Sequence, residues 1–340
     1  LIDSEVIDSE LKSSSTIGEF DLIQRYFCGL TSQHGVELGI GDDAAVISLE
    51  ELSLGRLVVS MDGLVGDVHF PLHSSGYDIA RRALCVNLSD MAAMGAIPRW
   101  FTLSLNLPEH LAVDDWLADF SKGLGEIANP HNCALIGGDV SRGNLALTIT
   151  IIGEVPADQA LTRKGASPGD YIYVTGTLGD GAAALRLVSG ASGDLVDRRL
   201  YEHFYAPKPR IEEGLILRGI ASACIDISDG LLSDLSHICA KSEVGADINL
   251  SCLPVHSGLK TNYSNCFLEW ALSGGDDYEL CFTVPSERVA QIDSLVQQGR
   301  IDATFIGEII AGKDIALISE AGRKLLDKRV GKYRGYNHFV

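Results

Sequence analysis

Residues 78–96 read DIARRALCVNLSDMAAMGA, and within them Ile79, Ala83, Val86 and Asp90 recur at spacings of three or four. That is the period of an α-helix, so this segment is expected to be a helix with Asp90 on the same line as its apolar residues. β-rich runs flank it, at 57–61 before and at 101–107 and 145–155 after. A second helix is expected over 113–127, opening with Asp114 and Asp115, where carboxylates suit the positive end of the helix dipole. The alternation resumes downstream: a strand at 170–175, a glycine-rich turn, a helix at 182–188, helices over 208–223 and 230–242, and strands near 246–250, 279–284 and 303–307. Strands alternating with helices in both halves predict an α/β (α+β) layered architecture. A polar tail over 1–16 and a charged link beginning at 157 divide the chain into expected domains at 17–156 and 157–340.

The chain has 340 residues, 46 of them acidic against 27 Lys and Arg, for a formal charge of −19. With 46% hydrophobic residues it can build real cores, and disorder is excluded as its main state. The acidic balance argues against nucleic acid or an anionic membrane as partner, because both require a basic face. Eight cysteines lie mostly in apolar stretches with no C-x-x-C pair, the pattern of buried free thiols in a reducing compartment. No apolar run approaches the roughly 18 residues needed to span a bilayer, and residues 1–16 lack the basic and apolar parts of a signal peptide. A cytoplasmic protein is therefore expected. The acids are 28 Asp and 18 Glu, an excess of the shorter side chain that a solvated helical surface does not call for.

Three glycine-rich stretches resemble nucleotide loops. Gly307 to Lys313 matches the first seven positions of a P-loop, but Asp314 stands where a hydroxyl should bind magnesium and no helix follows, so a hairpin is expected. Gly39, Gly41 and Ala44 resemble a dinucleotide fingerprint, but the next residues continue as a strand and two carboxylates, Asp42 and Asp43, would face the pyrophosphate. The loop Gly176–Gly181 does join a strand to a helix; it reads equally as a phosphate cradle or as a plain turn.

Five places share one grammar, an apolar run ending in glycine and aspartate: Asp42-Asp43, Asp62, Asp139, Asp226 with Asp229, and Asp276-Asp277. Asp90 joins them from the helix. Any one of these could be a turn or a helix cap. Their repetition with the same lead-in favours hard, oxygen-seeking cations, and Mg²⁺ in particular, which uses a few carboxylates together with substrate phosphates. Arg142 and Arg163 are candidate phosphate clamps.

These motifs resemble, in order along the chain, the thiamine-monophosphate kinase family of the PurM-like ATP-binding superfamily: Gly18-Glu-Phe, the Gly39 to Ala44 run, Val86 to Pro98, Leu135 to Asp139, Ala160 to Ala166, Asp226 to Leu231 and Leu272 to Leu280. The resemblance implies an N-terminal domain that dimerises through its β-sheet, a C-terminal α/β domain, and a cleft between them. It implies transfer of a phosphoryl group from ATP to thiamine monophosphate, giving thiamine diphosphate, in a homodimer. Asp43, Asp62, Asp90, Asp139, Asp226 and Asp229 would hold several magnesium ions, with Ser60 as a further ligand and Met61 contributing only through its backbone, since a threonine is common there. Gly138, Arg163 and Ser228 would contact ATP. His69, Asp276 and Tyr336 would contact the thiamine moiety, with Asp276 where glutamate is common.

With two phosphates as reactants, the protein's task would be positioning and charge neutralisation. The acceptor phosphate has a second pKa near 6 and is already ionised at neutral pH, so no general base and no phosphoenzyme are expected. Two other readings fit the aspartates: a different ATP-dependent synthetase of the superfamily, or a protein that binds metal and nucleotide without turnover.

Overall fold

The structure, a computed structural model, describes residues 19–30, 36–38, 40, 46–47, 55–190, 197–319, 321 and 324–325. The expected tail at 1–16 lies outside them. The N-terminal half comprises α1 (Glu19–Tyr26), β1 (Val36–Leu38), β2 (Val46–Ile47), β3 (Gly55–Val65), α2 (Gly76–Ala93), β4 (Ile97–Leu107), α3 (Asp114–Ala128), β5 (Ala134–Arg142) and β6 (Ala146–Pro156). The four long strands form one sheet in the order β3-β6-β4-β5, antiparallel except for the parallel pair β4 and β5.

Register decides which side chains the sheet offers to the interior. Asp62 pairs with Ile149, Ile149 with Leu103, and Leu103 with Gly138. Paired residues share a face, and Ile149 and Leu103 are buried in the main core, so this row faces inward. The adjacent rows, Met61-Thr150-Thr102-Gly137 and Gly63-Thr148-Ser104-Asp139, therefore face outward. Leu57, Val59 and Val65 share that outer face with Met61 and are exposed.

The helix expected at 78–96 runs over α2. Ser75 caps it, accepting the Asp78 amide at 3.1 Å while donating to the Asp78 carboxylate at 2.6 Å. Sixteen of its 18 residues are buried, the exceptions being Tyr77 and Asp90. A helix buried on nearly all sides has neighbours on both flanks. One flank of α2 packs on β3, β4 and β6 and the other meets elements of the C-terminal half.

That half comprises β7 (Tyr171–Thr175), α4 (Asp180–Val188), α5 (Arg198–Tyr205), α6 (Ile211–Leu217), β8 (Ala223–Asp226), α7 (Leu231–Ser242), β9 (Gly245–Asn249), α8 (Ser257–Asn262), α9 (Phe267–Ser273), β10 (Leu280–Val284), α10 (Val289–Gln297), β11 (Ala303–Ile310), β12 (Ile315–Ile318) and β13 (Lys324–Leu325). Its sheet runs β13-β12-β9-β11-β7-β10-β8. The runs YIYVT and LCFTV form β7 and β10, interior strands that are almost wholly buried.

The hairpin expected over 307–318 does not form. β9 lies between β11 and β12, antiparallel to the first and parallel to the second. Residues 311–314 cross the start of β9, where the Ala246 amide donates to the Asp314 carbonyl at 3.0 Å. Gly245 permits that crossing, since a Cβ there would lie 2.6 Å from the Asp314 carbonyl oxygen. No helix among the described residues is long and apolar enough to cross a membrane, and all eight cysteines are free thiols.

Candidate active site

A cavity of about 250 Å³ opens where the two halves meet, and seven of the residues singled out in the sequence line it: Asp62, His69, Asp90, Asp226, Ser228, Asp229 and Asp276. Asp62 points inward from β3, and Asp90 comes from α2, where it is half-buried. Asp226 ends β8, and Ser228 and Asp229 occupy the turn into α7. Asp234, in the first turn of α7, fixes that turn by accepting the Asp229 and Gly230 amides at 3.0 and 3.1 Å.

The acids are crowded. Burial, then the Asp90 and Asp226 charges, raise the Asp62 carboxyl above its ordinary range, and burial followed by Asp90 does the same to Asp226. Burial raises Asp90 as well, against the hydroxyl of Ser60, which donates to it, and the nearby Arg163. Asp234 is pushed up to about 7 by burial and by the Asp226 and Asp229 charges. Ser89 donates to Asp226 at 2.8 Å. Burying like charges this close is unfavourable unless a cation joins them. The donors are all oxygen, and among the described residues no three Asp, Glu, His or Cys side chains are grouped closely enough to hold a metal ion by themselves. An open set of carboxylates suits Mg²⁺, which keeps positions for water and phosphate oxygens.

His69 and Asp276 line the same cavity. The Val65 amide donates to His69 Nδ1 at 2.9 Å, which leaves Nε2 to carry the proton. Asp276 sits in a loop seated on the turn after β8: its amide donates to the Ser228 carbonyl and that of Tyr278 to the Ile227 carbonyl, each at 2.8 Å. Gly275, with a φ of 68°, makes this contact possible, since a Cβ would lie 2.6 Å from the Ser228 carbonyl oxygen. Asp277 turns away from the cavity and accepts the Gly179 and Gly181 amides at 2.8 and 2.9 Å. The loop Gly176–Gly181 is therefore a turn, with the Gly179 and Gly181 amides taken by this carboxylate and those of Gly176 and Leu178 by the Asp302 and Pro254 carbonyls, which favours the plain turn over the phosphate cradle.

Other singled-out residues lie elsewhere. Ser60 touches Asp90 at the edge of the site. Arg163 is exposed, and its charge lowers both Asp90 and Asp226. Gly138, Asp139 and Met61 are exposed on the sheet, Asp139 and Met61 on its outer face, where Ser141 donates to Asp139 at 2.7 Å. Arg142 pairs with Glu109 on the surface, at 3.7 Å. Asp43 and Tyr336 lie outside the described residues. Sequence reading gave no role to Arg82 or Tyr278, which also line the cavity; the available signals were an Arg pair inside a mostly apolar helix and the place of Tyr278 within the motif at 272–280.

Residues 41–155 match the model of the AIR synthase related protein N-terminal domain, and residues 167–320 that of the C-terminal domain. A thiamine-monophosphate kinase of Escherichia coli K12 is 44% identical over 331 residues, covering 95% of this chain and 98% of its own. The structure is similar to that of thiamine-monophosphate kinase from Stenotrophomonas maltophilia K279a, at 43% identity and a TM-score of 0.77 over 83% of this chain and 91% of that one. It is also similar to AaThiL complexed with AMPPCP and TMP, at 30% identity and a TM-score of 0.72 over 83% of this chain and 87% of that one.

Proposed function

The chain belongs to the thiamine-monophosphate kinase family, and we infer from this how its cleft performs the ATP-dependent phosphorylation of thiamine monophosphate. The observation that carries the reading is the convergence, in one cavity between the two halves, of Asp62, Asp90, Asp226 and Asp229 with His69 and Asp276. One group serves phosphates and the other the thiamine moiety.

Asp62, Asp90, Asp226 and Asp229, with Ser60, would hold magnesium, which when bound supplies the positive charge that lets two phosphates approach. Ser228 and Arg163 contact ATP, and Asp43 completes the acidic set. His69, with its proton on Nε2, is a hydrogen-bond donor to substrate and not a base. The acceptor phosphate needs none, since it is ionised at neutral pH. Asp276 and Tyr336 hold the thiamine moiety. Expected on incubation with ATP, Mg²⁺ and thiamine monophosphate is one thiamine diphosphate per ADP, with no acid-stable label on the protein from γ-³²P-labelled ATP. Absence of thiamine diphosphate removes the reading, and trapped label removes its direct in-line step.

We propose domains at 17–156 and 157–340, a cytoplasmic setting supported by the eight free thiols, and a homodimer. The dimer is supported by the exposed outer sheet face, where Leu57, Val59 and Met61 are 50%, 62% and 64% exposed, an apolar patch of the kind that marks an interaction surface. Asp139 shares that face and is screened from Asp62 by its own sheet, so its assignment to metal fits a site shared between two copies, with Gly138 beside it. Val59→Asp is expected to convert the dimer to a monomer in sedimentation equilibrium, with at least about a tenfold loss of turnover, as for a central interface residue. A Val59→Asp protein that stays dimeric overturns this face as the interface.

A further inference from the structure

Arg82 is 3% exposed, yet it lines the cavity from α2. Its guanidinium uses each nitrogen separately. Nε donates to the His69 carbonyl at 3.1 Å, Nη1 to the Phe204 carbonyl at 2.8 Å, and Nη2 to Asp276 Oδ2 at 2.8 Å. It also lies over the Phe204 ring, 4.0 Å from its centroid. His69 and Asp276, assigned above to the thiamine moiety, thus hang from one planar group although they come from opposite halves of the molecule.

The second oxygen of Asp276 is held as well, by the Tyr278 hydroxyl at 3.0 Å. Burial and the Asp276 charge push the Tyr278 phenol well above its ordinary range, so it stays a donor. Burial works against the Arg82 charge, but the Asp276 carboxylate holds the guanidinium above its ordinary value. The loop itself is strained, with a φ of 59° at Asp276 and of 51° at Tyr278. Side chains other than glycine keep that conformation only where surrounding contacts over-determine it. The place of Asp276 is set by the backbone and by the groups on its two oxygens.

We propose that Arg82 is the positioning residue for thiamine monophosphate in the cleft, joining His69 to Asp276 across the two halves, with Tyr278 as the second clamp on Asp276. The inference rests on the reading of the cleft given above. It assigns Arg82 an effect on one substrate only, because its contacts in the cleft are to His69 and Asp276 and not to the acids that serve ATP.

Steady-state kinetics of the full chain test this, with thiamine monophosphate and ATP varied in turn. Arg82→Lys keeps the charge but replaces the fork by a point donor, and Tyr278→Phe removes a single hydroxyl. Each is expected to raise KM for thiamine monophosphate about tenfold while KM for ATP moves less than about twofold. In an Asp276→Asn background, Arg82→Lys is expected to add clearly less than it does alone, since part of its action runs through that carboxylate and part through His69. Equal rises in both KM values, a fall in kcat alone, an unchanged KM for thiamine monophosphate, or a full effect of Arg82→Lys in the Asp276→Asn background would each overturn the inference while leaving the kinase reading intact. A wild-type protein inactive on thiamine monophosphate would overturn both. Tyr278→Phe deletes one oxygen and keeps the ring, so the test survives even if Arg82→Lys folds poorly.

Discussion

Asp62→Asn is expected to reduce turnover by about 10³-fold or more and, in the same protein, to raise the thermal midpoint measured in chelator at pH 8. The two effects have one cause. Asp62 stands with Asp90 and Asp226 in a site whose burial raises all three carboxyls, with repulsion from Asp90 adding to it at Asp62 and Asp226. The folded protein then binds protons more tightly there than the unfolded chain, whose carboxyls titrate near 4. Stability from these groups is fully present below about pH 4 and is lost as pH rises through the folded values. At pH 8 without metal the cluster is therefore a net cost, and replacing one carboxylate by an isosteric amide relieves it. Magnesium should accordingly stabilise the wild type more at pH 8 than at pH 5. Differential scanning calorimetry in EDTA and in Mg²⁺ at both pH values, beside a coupled ADP assay, reads both effects. A variant that keeps its turnover, or is less stable than wild type in EDTA at pH 8, would show that the cluster is not a cation site.

The elements read most reliably from sequence were those whose period and burial agree. The pattern at 78–96 became α2 within a few residues, because a helix packed on both flanks shows its spacing without interruption. The apolar runs YIYVT and LCFTV were just as plain. What periodicity could not show was the order of strands. β11 and β12 are consecutive in sequence with only residues 311–314 between them, and the adjacency rule predicts a hairpin. A third strand, β9 from well upstream, enters between them because Gly245 leaves room for the link. The short helices α5, α8, α9 and α10 escaped because their faces are set by tertiary partners more than by their own pattern. In α5, Tyr201 donates to Asp78 at 2.7 Å and Arg81 pairs with Glu202 at 2.6 Å, contacts to the sequence-distant helix α2.

The site divides in the same way. The aspartates were visible as a class because glycine beside an acid at the end of an apolar run recurs, but their individual roles were not. The run Asp276-Asp277-Tyr278-Glu279 shows why. Asp276 faces the cavity, Asp277 binds the amides of the turn before α4, Tyr278 pins Asp276, and Glu279 points into the C-terminal core. Adjacent residues in an irregular loop carry no shared direction, so four polar residues in a row take four environments. Asp139 makes the complementary point. Its motif resembles that of the others, but strand parity puts it on the other face of the sheet.

Glu279 leads to the largest stability effect expected in the protein. It accepts two hydrogen bonds from Arg210, from Nε and Nη2 at 2.6 Å each, and a third from Thr175 at 2.5 Å. The Arg210 and Glu279 side chains are 8% and 7% exposed. Arg210 also reaches Glu213 at 3.1 Å, which Lys208 meets at 3.2 Å. Arg210→Met leaves the buried Glu279 carboxyl with one hydroxyl in place of its guanidinium, and removal of one partner from such a pair costs about 3–5 kcal/mol. At about 2–4 °C per kcal/mol for a unit of roughly 150–250 residues, the midpoint should fall by roughly 10 °C. The pair's net worth is a different quantity, because two desolvated charges recover little more than they lost on leaving water. Arg210→Met combined with Glu279→Leu should therefore lie within about 1–2 kcal/mol of wild type, well above the single variant. Because Glu279 follows Tyr278, the single variant should also loosen Asp276 and raise KM for thiamine monophosphate, while the double variant restores it. If the two substitutions simply add in urea unfolding, the network stabilises as independent contacts. If they compensate in stability but not in KM, Glu279 holds the substrate loop through its charge as well as its packing.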